Sequence, residues 1–118
     1  LLFVRYCAHS VMSPNRFNIP EPALECAHIV PLTKLDIIFT PLVAFDAQGH
    51  RLGMGGGFYD RTLAPLYRND PQTPDSNTAV IGLAHNCQQA ERLVAQPWDL
   101  PMQKIITPST TYIIRNKD

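Results

Sequence analysis

The chain has 118 residues, of which 45% are apolar, and its ten basic side chains balance ten acidic ones. That composition supplies one core for a single domain, and the absence of net charge removes the footprint of a nucleic-acid or anionic-membrane binder, so any anion site must be local. No apolar run approaches a membrane span and no signal-peptide pattern is present, which gives the expectation of a cytoplasmic protein without nucleic-acid or membrane partners.

In chain order, residues 1–6 read as a strand, and residues 7–18, rich in Ser, Pro and Asn, as loop. In Ile19-Pro-Glu-Pro22 two prolines fix the backbone around Glu21, giving an extended connector with a reproducibly placed carboxylate. Residues 23–35 declare no element. Cys7, Cys26 and Cys87 are odd in number and in no C-x-x-C arrangement, so they read as reduced thiols, each a small buried hydrophobe, and not as a disulfide framework or zinc site.

Residues 36–40 read as a short buried strand stopped by Pro41. Five of the six glycines then fall within residues 49–61, and from Phe58 the pattern opens a helix with Asp60 in its first turn. Glycines clustered between a strand and a helix suit either an ordinary turn or a loop whose main-chain N–H groups meet phosphate oxygens. The loop is neither a Walker motif nor a dinucleotide fingerprint, since no Gly-Lys-Ser/Thr follows and Phe58 stands where the last fingerprint glycine would be. Pro65 either ends the helix or starts a second one.

Residues 68–77, apart from two prolines, have no apolar side chain and read as surface loop. Residues 78–84 are a second buried strand, apolar on both faces as parallel strands are. Residues 88–96, with Ala90, Leu93 and Val94 at helical spacing, read as a short helix stopped by Pro97. Residues 98–102 form a rigid loop, 104–107 a third strand and 111–114 an edge pairing. The sum is an α/β fold: a three-layer open sheet, mainly parallel, with helices on both faces and ligands beyond the carboxyl ends of the strands.

The run Arg51-Leu-Gly-Met-Gly-Gly-Gly-Phe-Tyr-Asp60, with Pro41-Leu-Val-Ala-Phe-Asp46 before it and Trp98-Asp-Leu-Pro101 and Ile106-Thr-Pro108 after it, resembles the 5-formyltetrahydrofolate cyclo-ligase family, also called methenyltetrahydrofolate synthetases. The resemblance covers nearly the whole chain but only about the C-terminal two-thirds of a family member. Together with an opening Leu-Leu-Phe-Val that has no lead-in, it gives the expectation of a single domain over residues 1–118 that is the C-terminal portion of a longer chain.

The resemblance implies an ATP- and magnesium-dependent closure of 5-formyltetrahydrofolate to 5,10-methenyltetrahydrofolate through phosphorylation of the formyl oxygen. It assigns ATP to Arg51, Leu52, Gly53, Met54, Gly55, Gly56, Gly57, Phe58 and Tyr59, the folate to Met54, Gly55, Gly56, Gly57 and Phe58, and magnesium to Asp60 and Asp99. Glu21 is a further candidate near the substrate. Many family members carry basic residues where this chain has Met54 and Gly56, so the triphosphate must be met by Arg51, by magnesium, or by the family's N-terminal helix. His9, His28, His50 and His85 show no nucleophile–base pairing in the sequence. A non-catalytic nucleotide-binding relative, and a sugar-phosphate isomerase or acyl-transferase on a similar sheet, are the alternatives, because fold alone does not choose among them. A monomer is expected.

Overall fold

The computed structural model describes residues 1–53, 57–67, 77–94, 99–100 and 102–114. The elements run β1 (Met12–Pro14), β2 (Pro20–Pro22), β3 (Ile37–Pro41), β4 (Ala44–Phe45), β5 (Arg51–Leu52), α1 (Phe58–Leu63), β6 (Ala79–Leu83), β7 (Lys104–Ile106) and β8 (Thr111–Ile113). Short 3-10 turns lie at Cys26–His28, Leu32–Lys34, Ala64–Tyr67 and Asn86–Gln88. None of the helices among the described residues is long and apolar enough to cross a membrane.

The main sheet has the order β3-β6-β7-β8, parallel at its first two pairings and antiparallel at the last. The three runs read as strands at 36–40, 78–84 and 104–107 are therefore its parallel part, and the edge pairing at 111–114 is β8. Pro65 does not stop the chain from turning: α1 passes directly into the 3-10 turn Ala64–Tyr67. Leu63, Leu66 and Tyr67 from this helical stretch bury against Ile38, Val80 and Ile105 of the sheet, with Phe45 and Met102 completing the core. The Phe45 ring meets Tyr112 edge-on, centroids 5.3 Å apart, which ties the β4 segment to the antiparallel edge.

Four readings of the sequence need correction. The run 1–6 is extended but joins its neighbour only through the Val4–Ile29 bridge, with Arg5 N–H on the His28 carbonyl and Val30 N–H on that of Phe3. The loop and connector at 7–22 contain the β1–β2 hairpin. Its prolines are tolerated because Asn15 N–H bonds to Ile19 and Ala23 N–H to Val11, so the antiparallel alternation puts Pro14, Pro20 and Pro22 at positions that donate nothing. Residues 88–94 are not a helix: after the 3-10 turn, Gln89 bridges to Phe45 and Ala90 N–H bonds to the Phe45 carbonyl, so tertiary partners take the groups a helix would have used. All three cysteines are free, as expected, yet exposed and not buried, since they stand in short surface turns or next to them. The glycines and methionine at 54–56, the loop at 68–76 and the ends of the 98–101 block lie outside the described residues.

Candidate functional site

The segments that follow the carboxyl ends of β3 and β6 meet to form a cleft of about 100 Å³. His50, Arg51 and Leu52 line one side, and Leu93, Val94, Asp99 and Leu100 the other. Open α/β sheets bind ligands beyond the carboxyl ends of their strands, so the position of this cleft agrees with the topology.

The β4–β5 hairpin sets the first wall. Ala44 pairs with Leu52 and Phe45 with Arg51, and the intervening turn closes through Asp46. Gly49 in this turn has φ +89°, and a Cβ there would stand 2.5 Å from the Met102 carbonyl oxygen, so both the turn and the close approach require glycine. Asp46, whose side chain is 1% exposed, takes the N–H groups of Gln48 and His50 on Oδ1, and Leu93 N–H and His50 Nδ1, at 2.9 Å each, on Oδ2. Burial alone would raise its carboxyl pKa. The bonds from Leu93, from the His50 ring and from the main chain of His50 and Gln48 outweigh that effect and hold the group below its ordinary range.

Arg51 extends from β5 as a nearly buried guanidinium, its side chain 6% exposed, and pairs with Asp60 Oδ1 at 3.2 Å. Its Nη1 donates to the Pro41 carbonyl at 3.4 Å, its plane lies 5.8 Å from the Tyr59 ring centroid, and its Nε has no partner among the described residues. A Cβ on Gly53 would come within 3.2 Å of Arg51 Nη1, so this glycine makes room for the guanidinium irrespective of any ligand. Gly57 caps α1 in the left-handed region at φ +65°, with open space where its Cβ would be. Six helical residues carry little macrodipole, so an anion here must rely on loop N–H groups and on fixed cations more than on the helix.

Of the expected metal pair, Asp60 is tied by one hydrogen bond to the segment that carries Asp99. Leu100 N–H donates to Asp60 Oδ1 at 3.2 Å, and its chain neighbour Asp99 lines the cleft as Arg51 does, whereas Asp60 itself is not among the lining residues. Both contacts of Asp60 fall on Oδ1, and Oδ2 accepts no hydrogen bond among the described residues. Those residues contain no cluster of three or more His, Cys, Asp or Glu side chains suited to a metal. The chemistry of two carboxylates nevertheless suits magnesium, which takes one or two protein carboxylates and completes its shell with other oxygen ligands.

The other expected residues are only partly assembled. Leu52 lines the cleft, while Phe58 stands at the start of α1 with Arg61 5.5 Å from its ring centroid. Glu21 lies on the exposed β1–β2 hairpin, bonded to Asn15 Nδ2 at 3.3 Å, and is not among the cleft-lining residues. Sequence reasoning missed Asp46 and its link to His50. The available signal was an aspartate four residues before a histidine with a glycine between, the composition of a turn closed by a carboxylate.

A mixed sheet with a cleft at the carboxyl ends of its parallel strands, lined by Arg51 and Asp99 and bonded through Arg51 and Leu100 to Asp60, defines an α/β protein with a charged cleft. The model of the 5-formyltetrahydrofolate cyclo-ligase family matches residues 1–108, and the chain belongs to that family. It is 45% identical over 114 residues to the 5-formyltetrahydrofolate cyclo-ligase of Escherichia coli (strain K12), covering 95% of this chain and 58% of that protein. It is 50% identical over 106 residues to the Haemophilus influenzae protein of the same name, covering 90% and 53%. The NMR structure of Aquifex aeolicus 5,10-methenyltetrahydrofolate synthetase matches with a TM-score of 0.75 at 29% identity, over 99% of this chain and 54% of that one. The chain thus spans somewhat more than half the length of these relatives.

Proposed function

We propose that this chain carries the nucleotide and magnesium end of a 5-formyltetrahydrofolate cyclo-ligase, which at the family's full length converts 5-formyltetrahydrofolate and ATP, with magnesium as cofactor, to 5,10-methenyltetrahydrofolate, ADP and phosphate. The observation that carries the reading is the Arg51–Asp60–Leu100 linkage, which ties one candidate metal carboxylate to two lining residues of the cleft that the other, Asp99, also lines. In this reading ATP lies along Arg51, Leu52, Gly53, Met54, Gly55, Gly56, Gly57, Phe58 and Tyr59, and the folate meets the same loop from Met54 to Phe58. Asp60, through Oδ2, and Asp99 would hold magnesium, which supplies charge neutralisation for the phosphates when bound.

A formamide carbonyl is a poor electrophile and its oxygen a very poor leaving group. Transfer of the γ-phosphoryl of ATP to that oxygen removes both difficulties, with ADP departing. The folate N10 amine then attacks the formyl carbon, loses its proton, and the former formyl oxygen leaves in phosphate. The protein's part is placement and fixed charge. Arg51 holds Asp60 in register by its ion pair, so one side chain serves both the anion and the carboxylate beside it. The apolar walls at Leu93 and Leu100 reduce water around the reacting groups.

Two coarser features extend to the family's full length. Ile37 and Phe39, each 52% exposed, project from the β3 face opposite the core, and Leu83 and Ile113 are also exposed. Parallel sheets are covered on both faces, so helices beyond these 118 residues would complete a three-layer fold there. The same added length would bring the basic side chains that a triphosphate needs, and the 118-residue chain alone is expected to turn over weakly or not at all. A cytoplasmic monomer acting on a small-molecule folate is the accompanying expectation.

The test is the absorbance of methenyltetrahydrofolate as the full-length protein receives 5-formyltetrahydrofolate, ATP and magnesium. Product formation that requires all three supports the reading. A full-length protein that binds a sugar phosphate and ignores ATP would replace it with the isomerase alternative.

A further inference from the structure

His50 lines the cleft beside Arg51, yet neither the nucleotide loop nor the metal pair includes it. Its Nδ1 lies 2.9 Å from Asp46 Oδ2. The Asp46 carboxylate sits within four donors, and an ionised carboxylate only accepts, so in the neutral imidazole the proton resides on Nδ1 and the lone pair on Nε2. Nε2 has no hydrogen-bond partner among the described residues, and the His50 side chain is 32% exposed. The same carboxylate takes Leu93 N–H, so one buried group fixes the histidine on one wall and the apolar Leu93–Val94 segment on the other. An acceptor nitrogen flanked by Leu52, Leu93, Val94 and Leu100 suits the sugar or base of a nucleotide, groups with a carbon surface and a few N–H or O–H donors, better than it suits a phosphate.

We propose that His50 is a ligand-contacting, specificity-determining residue of this cleft, its Nε2 accepting a hydrogen bond from the sugar hydroxyls or base amino group of the bound nucleotide, with Asp46 as its positioning residue. This rests on the nucleotide reading above. A neutral hydrogen bond of this kind is worth roughly a three- to tenfold change in affinity.

The experiment is calorimetric titration of full-length wild-type and His50→Ala protein with the magnesium complexes of ATP, 2′-deoxy-ATP, 3′-deoxy-ATP and purine riboside triphosphate. It is accompanied by ¹⁵N NMR of the His50 ring in the wild type and in Asp46→Asn. The expected result is a three- to tenfold loss of Mg-ATP affinity in His50→Ala, with one analogue equally weakened in the wild type and insensitive to the substitution. That analogue identifies the sugar or the base as the donor. The NMR spectrum should show the Nδ1–H tautomer in the wild type and its loss in Asp46→Asn. Equal Mg-ATP affinity of His50→Ala and wild type, an equal loss for all four nucleotides, or a wild-type ring protonated on Nε2 alone would each overturn the inference while leaving the nucleotide reading intact. Absence of Mg-ATP binding to the wild type would remove both.

Discussion

The two sides of β3 face opposite physical situations. Toward the cleft and core, Thr40 and Ile38 are buried, and the β4–β5 turn that follows saturates a buried carboxylate with four donors. Away from the core, Ile37 and Phe39 stand half in water with no layer over them among the described residues. The first side is a finished piece of structure and the second an unfinished one. The polar groups around Asp46 at the cleft are satisfied by one another, whereas the outer sheet face leaves apolar side chains in water.

The largest expected effect lies on the finished side. Phe45→Ala removes a fully buried ring from the centre of the core and should cost about 3–5 kcal/mol of stability, measured by urea unfolding. A loss below about 1 kcal/mol would show that the core is loosely packed. Asp46→Ala comes next: it strands the donors of Gln48, His50 and Leu93 and should cost about 2–4 kcal/mol. The same carboxylate gives a signed pH dependence. Its folded pKa is depressed, so its contribution is present above the ordinary aspartate range and is lost as pH falls through the folded value. The acid limb of stability should flatten in Asp46→Asn, and an unchanged limb would mean that other carboxylates govern it.

Smaller, and functional in character, is the magnesium response. Asp99→Asn in the full-length protein should raise the magnesium concentration needed for half-maximal activity by roughly tenfold and be partly rescued by excess metal. Asp60→Asn should do the same and also lose stability, because it weakens the partner of a nearly buried guanidinium. Unaltered magnesium dependence in both variants would make the carboxylates structural. The smallest effect belongs to the unfinished side. In the 118-residue chain, Phe39→Ser should change stability by less than about 0.5 kcal/mol, since the ring is half exposed already. In the full-length protein it should cost about 2 kcal/mol or more once a layer covers it. Equal effects in the two lengths would contradict the three-layer inference.

The sequence made β3, β6 and β7 legible because each is a short apolar run with turn residues at its ends, and a parallel strand needs little else. The β1–β2 hairpin was hidden because its prolines argue against pairing until the register shows that none of them has to donate. The helical spacing of Ala90, Leu93 and Val94 misled because the N–H groups of Ala90 and Leu93 bond to Phe45 and Asp46, partners more than forty residues away. At the site, Arg51, Asp60 and Asp99 come from motif resemblance, and Arg51 and Asp99 line the cleft while Asp60 reaches it only through its bonds to Arg51 and Leu100; Asp46 escaped because its importance lies in what a buried carboxylate gathers, not in any motif spacing.

The central claim is that the formyl oxygen of the substrate is phosphorylated by ATP held at this cleft. It is tested most directly by giving the full-length protein 5-formyltetrahydrofolate labelled with ¹⁸O in the formyl group, with ATP and magnesium, and measuring the label in the products by mass spectrometry. The account predicts one ¹⁸O in the released phosphate for each methenyltetrahydrofolate formed. Label recovered in water, with none in phosphate, would contradict it.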